Sequence, residues 1–250
     1  MYNPFSLEGK TVLVTGASSG IGRSTAIECS KLGATLILTG RNEDRLKSTF
    51  DALEESENTH QMFAADLRQP GELSALVNSL PILDGCVNNA GIGKTLPIQF
   101  LSLNELENIF NINCFSPMLL TKELVKKKKL CKSSSLVYTL SIAGNYNILP
   151  GNSLYGCAKA ALSAFIKYAA LELSSKGIRC NGVCPGMIRT PFIERMAFSE
   201  EDLAKDIEKY PLKRYGKPEE IAHAIIYLLS DAAAWVTGTN LVIDGGRSLR

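Results

Sequence analysis

"TVLVTGASSGIG", residues 11–22, is the stretch on which the fold turns. Residues 11–15 are apolar or β-branched with no polar alternation, which reads as a strand buried on both faces. Gly16, Gly20 and Gly22 follow, and the helical stretch "GIGRSTAIECSKLG" closes at Gly33. A second buried strand, "ATLILTG", comes straight after. Strand, glycine turn, helix and strand inside the first 40 residues make one βαβ unit, because parallel neighbours need a crossover helix.

Outward from that unit the alternation continues to the end of the chain. The further strands are "HQMFAAD", "LDGCVNNAG", "SSLVYTLS", "IRCNGV" and "NLVID". Between them lie the polar helix "NEDRLKSTFDALEES", the helix "PGELSALVNSL" and a long helical region from about Ser102 to Cys131, interrupted near Pro117. A helix from Ser153 to Ser175 and another at "KPEEIAHAIIYLLSD" complete the set. The pattern predicts a single-domain, doubly wound α/β Rossmann fold over residues 1–250, a parallel sheet of about seven strands with helices on both faces. No linker, repeat or low-complexity tract divides it.

In such sheets ligands bind beyond the C-terminal ends of the strands. Glycine lets backbone amides approach a pyrophosphate, and the helix N-terminus adds its positive dipole end. Gly16, Ser18, Ser19, Gly20, Ile21 and Gly22 are therefore candidate dinucleotide contacts. The second strand ends in "LTGRNE", where an acid usually meets a free ribose 2′-hydroxyl. Gly40 and Arg41 stand there instead, and a planar, permanently charged guanidinium suits a 2′-phosphate. NADP is expected in preference to NAD.

"SLYGCAKAA", residues 153–161, places Tyr155 and Lys159 four apart on a predicted helix, hence on one face. Read alone, that is an ordinary helix with a surface Tyr and Lys, or an acid–base pair in which an ammonium lowers the pKa of a phenol from its usual ~10.

The composition excludes other classes. Lys plus Arg number 27 against 25 acidic residues, a net charge of +2, so no charge field for nucleic acid is present. No leader pattern and no apolar run long enough for a bilayer is visible, which suggests a cytosolic protein without membrane contact. The seven cysteines (Cys29, Cys86, Cys114, Cys131, Cys157, Cys180 and Cys184) lie scattered in apolar segments, and histidine occurs only at His60 and His223. Free thiols are expected, and no metal site.

Taken together, the motifs resemble the short-chain dehydrogenase/reductase family over nearly the whole chain. "TGASSGIG" resembles its cofactor turn and "NNAG" (88–91) its signature after the fourth strand. "FNINCF", "TLSIAG", "YGCAK", "NGVCPGMIRT" and "DGG" follow in the family's order. The resemblance implies Tyr155 as general acid or base and Ser141 as a hydrogen-bond partner of the same substrate oxygen. Lys159 would lower the tyrosine pKa and bind the nicotinamide ribose, and Asn113 would hold a water feeding protons toward it. Asp66 and Leu67 would meet the adenine, Asn89 the adenosine ribose side, and Ile188 and Thr190 the carboxamide. Ser19 stands where some NADP-preferring relatives carry arginine.

The resemblance also implies a homotetramer paired through the long helices, acting on a small carbonyl or alcohol. One possible substrate is a 3-oxoacyl group on acyl carrier protein, with "VKKKKLCK" and Lys176 as its docking charges. The lysine run is equally read as a solvated helix end. A small ketone, sugar or steroid alcohol is the alternative substrate, and a non-catalytic dinucleotide-binding regulator the alternative class. Tyr146, Ile148, Leu149, Met187, Phe192, Ile193 and Met196 would line the substrate pocket, with a lid at about 187–210.

Overall fold

The computed structural model describes residues 2–55, 59–194 and 199–249. One parallel sheet runs through it in the order β3-β2-β1-β4-β5-β6-β7. The strands are β1 (Thr11–Thr15), β2 (Thr35–Gly40), β3 (Gln61–Ala64), β4 (Leu83–Asn88), β5 (Leu130–Thr139), β6 (Arg179–Pro185) and β7 (Asn240–Ile243). Strand order reverses between β1 and β4, so the crevice beyond their C-terminal ends is where a ligand fits.

The alternating side chains of the strands feed two cores. Leu13, Cys86, Leu136, Tyr138 and Cys180 face α3 (Pro70–Ser79), α5 (Ser116–Lys126) and α6 (Ser153–Leu173). Val12, Val14, Val87, Val137 and Val183 face α1 (Gly20–Lys31), α2 (Glu43–Phe50) and α9 (Pro218–Leu229). Each fully buried aliphatic contributes about 1.5–3 kcal/mol, so both faces of every central strand are anchored. The continuous apolar strands of the sequence have this two-sided burial as their cause.

Several boundaries differ from the sequence reading. The polar helix α2 ends at Phe50, well short of Ser56. The long helical region is α4 (Leu103–Phe110), a π-helical turn over Asn111–Phe115, and α5, which starts at Ser116 with Pro117 in its first turn. It stops at Lys126 rather than Cys131, because Lys128 takes a left-handed φ of 53° and Leu130 already pairs with Leu83 in the sheet. The loose stretch to Tyr210 contains two helices, α7 (Pro191–Glu194) and α8 (Glu200–Ile207), the second capped by the Ser199 side chain. Met196 of the expected lid lies outside the described residues.

The lysine run is only in part a solvated face. Lys127 reaches the Ser74 hydroxyl (3.0 Å) and the Asn78 amide oxygen (2.8 Å) of α3. Lys129 donates to the carbonyls of Asn78 and Leu80, capping the C-terminal end of that helix. Lys122, Lys126, Lys128 and Lys132 remain exposed. A second exposed feature lies on α6, where Cys157, Ala161, Ala164, Tyr168 and Leu171 form an apolar stripe at helical spacing. Phe115 and Leu119 are also exposed, in the π-helical turn and on α5. No described helix is long and apolar enough to cross a membrane, and the described cysteines are free thiols with no metal-binding group among the described residues.

Candidate active site

A cleft of about 980 Å³ opens over the C-terminal ends of the strands, from Arg41 on one side to Arg247 on the other. Its first wall is the turn after β1. Gly16 and Gly20 hold left-handed φ values of 64° and 55°, which only glycine adopts without strain. Gly22 is required for a different reason: a Cβ there would lie 2.4 Å from the Gly16 carbonyl oxygen. Asn89, one residue past β4, donates from its amide to the carbonyls of Thr15 (3.2 Å) and Gly16 (3.4 Å), tying the turn to the neighbouring strand. Ser18, Ser19 and Ile21 line the cleft, and Thr190 rests against Gly20. The turn leaves the backbone exposed at the N-terminus of α1, with no side-chain cap on it.

Arg41 lines the cleft at the end of β2, with Asn42 and Arg45 beside it. Asn42 caps α2 by accepting the Arg45 N–H at 2.8 Å. Asp66 and Leu67 border the same end, but the Asp66 carboxylate is already gripped by Arg68, at 2.6 Å from Nη2. That hydrogen-bonded pair holds the Asp66 carboxyl below its ordinary range. Arg68 also donates to the Asn108 amide oxygen at 3.0 Å, linking this end of the cleft to α4.

The opposite wall carries the titratable groups. Tyr155 and Lys159 share a face of α6, and the Lys159 ammonium lies 5.7 Å from the centre of the Tyr155 ring. Ser141, in the loop after β5, is hydrogen-bonded to the Tyr155 hydroxyl and accepts the Ala143 N–H at 3.1 Å. Lys159 is buried and donates to the Thr139 carbonyl at 2.7 Å. The loop and the helix meet backbone to backbone: a Cβ on Gly144 would lie 2.2 Å from the carbonyl oxygen of Gly156. Two glycines thus set the distance between Ser141 and Tyr155.

Electrostatically the pair differs from the expectation of an acidified phenol. Burial pushes Tyr155 up to about 12, with the Ser141 hydrogen bond pulling the other way. Burial pushes Lys159 down to about 8. The phenol is firmly protonated at neutral pH, and its neighbour is an ammonium close to losing its proton.

Asn113 lies in the π-helical turn, fully buried, and its amide donates to the carbonyls of Ile92 (2.8 Å) and Ile109 (3.0 Å). Its side-chain oxygen accepts only a long bond from Ile92 N–H, at 3.3 Å. The side chain therefore clamps the loop after β4 beside Lys159. Ile188, Tyr155, Lys159 and Ser141 all border the cleft, so the sequence reading brought together residues that the fold does assemble.

The glycine cradle, the open helix N-terminus and a buried lysine opposite them fit a nicotinamide dinucleotide, which needs close backbone approach at its pyrophosphate. A family model described as Enoyl-(Acyl carrier protein) reductase matches residues 16–248. A solved short-chain type dehydrogenase/reductase from Mycobacterium marinum superposes with a TM-score of 0.89 at 30% identity, covering 99% of this chain and 98% of that one.

The chain belongs to the short-chain dehydrogenase/reductase family.

It is an oxidoreductase of that family, whose members bind nicotinamide dinucleotides. The chain is 34% identical over 244 residues to 3-oxoacyl-[acyl-carrier-protein] reductase FabG of Rickettsia prowazekii (strain Madrid E), covering 96% of this chain and 97% of the relative. A putative NAD(P) dependent gluconate 5-dehydrogenase from Beutenbergia cavernae, solved with NADP bound at low occupancy, has a TM-score of 0.91 at 27% identity and covers 99% and 100% of the two chains.

Sequence reasoning missed Arg45, Arg68, Tyr210 and Arg247, which meet at the cleft or behind it only through folding. Arg68 had a local signal, an arginine two residues after Asp66, and Arg45 follows Arg41 by four residues. Arg247 had none.

Proposed function

We propose that the protein is an NADP(H)-dependent reductase or dehydrogenase interconverting a carbonyl compound and a secondary alcohol. The observation that carries this is the Tyr155 hydroxyl, bonded to Ser141 and carried on a ring whose centre lies 5.7 Å from the Lys159 ammonium, in the cleft that the glycine turn also lines. When bound, the nicotinamide supplies or accepts a hydride. As negative charge builds on the substrate oxygen, Tyr155 gives it a proton and Ser141 donates a hydrogen bond to it. Lys159 stabilises the phenolate left behind, and Thr139 holds its ammonium in place. Asn113 keeps the adjoining loop shaped around Lys159 and offers an oxygen to the water that returns the proton. Arg41, following Gly40 where a strand-end acid usually stands, supports NADP over NAD by pairing with a 2′-phosphate.

For the substrate, a 3-oxoacyl group on acyl carrier protein is the reading favoured by the similarity to the Rickettsia relative and by the exposed Lys122, Lys126, Lys128, Lys132 and Lys176. The exposed apolar stripe on α6 and the residues near it support pairing of copies into a homotetramer, and the balanced composition supports a cytoplasmic protein. The deciding experiment is a turnover screen with NADPH and NADH over varied carbonyls, including a carrier-bound and a free 3-oxoacyl thioester across a salt series. NADPH oxidation with a carrier-bound advantage at low salt is expected. NADPH binding with no turnover on the whole panel would replace the reaction by a binding role.

A further inference from the structure

Arg247 is a charged group that the scheme above leaves unused. It opens a short 3₁₀ turn after β7 and is 9% exposed. Its guanidinium makes no hydrogen bond or ion pair with any described residue. A guanidinium carries five N–H donors and keeps its charge, so where it lines a cleft with no protein acceptor those donors are open to an anionic ligand.

The side chain borders the same cleft as Tyr155, next to Met187 and Tyr210. The acids around it are committed elsewhere. Asp244 accepts the N–H groups of Gly246 (2.9 Å) and Ser248 (2.7 Å), which shapes the turn itself. Asp206 accepts the Tyr215 hydroxyl at 3.1 Å and pairs with Lys209 at 3.3 Å. Tyr210 is turned to the Met187 N–H, which its hydroxyl accepts at 3.2 Å. The guanidinium therefore borders the cleft with no anionic partner among the described residues.

We propose that Arg247 determines specificity by binding an anionic group, a carboxylate or a phosphate, carried by the carbonyl substrate. It would sit on the β7 side of the cleft, across from Arg41, so the substrate anion and the cofactor's phosphates have separate cations. This rests on the carbonyl-reduction reading and adds a substrate class to it.

The test uses matched pairs of ketones with NADPH: 4-oxopentanoate and its methyl ester, 5-oxohexanoate and its methyl ester, and dihydroxyacetone phosphate and dihydroxyacetone. In the wild type the anionic member of at least one pair is favoured by tenfold or more in kcat/KM. Arg247→Met brings that ratio to about one, a loss of about 10- to 100-fold exerted mainly through KM, as for a charge-assisted hydrogen bond. Arg247→Lys restores part of it. Because the guanidinium bonds to no described residue, the melting temperature of R247M stays near that of the wild type, whereas loss of a structural arginine would lower it. The pair that shows the preference says whether the group is carboxylate or phosphate.

Equal rates for both members of every pair overturn the proposal and leave carbonyl reduction standing, as does R247M slowing both members alike. An R247M variant whose only change is dissociation of the oligomer overturns it too, assigning the guanidinium to a carboxylate of a second copy. No turnover of any ketone removes the reaction and this proposal together.

Discussion

Gly144→Ala tests how the site is held. Gly144 lies three residues after Ser141, and its added Cβ would fall 2.2 Å from the Gly156 carbonyl oxygen and 2.7 Å from its carbon. Both are backbone atoms of α6 next to Tyr155, so no side chain can swing aside. Restoring an ordinary carbon–oxygen contact opens the gap between loop and helix by about 1 Å, and a misplacement of that size costs on the order of 100-fold in rate. The φ of 89° adds ~1–2 kcal/mol for any L side chain, and the overpacking ~1–3 kcal/mol more. At roughly 2–4 °C per kcal/mol for a chain of this size, the melting temperature drops by roughly 4–20 °C. Gly9→Ala is the control: its φ is 72° but nothing lies within 4 Å of the new Cβ. It should show the backbone cost alone, roughly 2–8 °C, with activity unchanged. Thermal unfolding and kcat/KM with NADPH read both variants. If G144A falls no further than G9A in either measurement, the glycine contact does not set the Ser141–Tyr155 distance.

Tyr155→Phe removes the proton donor and keeps the packing, so kcat should fall by about 10²–10⁴-fold at unchanged melting temperature; a fold change under ten in stopped-flow turnover would exclude it. Lys159 holds its charge below about pH 8, so the rate of reduction declines as pH rises through that value, a step absent from Lys159→Met. Its folded pKa lies below the unfolded 10.5, so the native state binds fewer protons in between. Unfolding free energy therefore climbs with pH from about 8 toward 10.5, and denaturant titration should find that climb missing in K159M. Arg41→Ala should raise KM for NADPH by about 10- to 100-fold and leave KM for NADH alone; equal effects on the two would place the 2′-phosphate elsewhere.

The strands were legible because two-sided burial leaves a plain mark, the unbroken apolar runs at 11–15 and 35–39. The glycine turn was legible for a related reason, since close backbone approach admits no other residue. Legibility failed where polar residues do strand or helix work. "LCKSSS" opens β5 although its polar side chains suggest a loop, because Leu130 pairs with Leu83 and Ser133 takes a φ of 66° beside the register shift. Helix α8 had its signal in "SEEDLAKDI", a serine cap with acids in the first turn, hidden by the sparse apolar content around it. The pKa of Tyr155 could not be read from spacing alone: the four-residue interval gives the neighbour, while depth in the fold gives the desolvation that pushes the phenol up against the Ser141 hydrogen bond. Arg247 is the extreme case, since what makes it notable is the lack of a described partner, and sequence carries no sign of that.

The stripe along α6 has a practical consequence. Cys157 begins it, exposed, while Cys29, Cys86, Cys114, Cys180 and Cys184 are buried and Cys131 is half-covered by its contact with Asp84. Native alkylation should thus mark a single thiol first, on the helix of Tyr155 but on its outer side. Because that thiol shares its stripe with Tyr168 and Leu171, a second copy seated there would shield it, and its modification rate becomes a chemical reporter of assembly that falls as protein concentration rises.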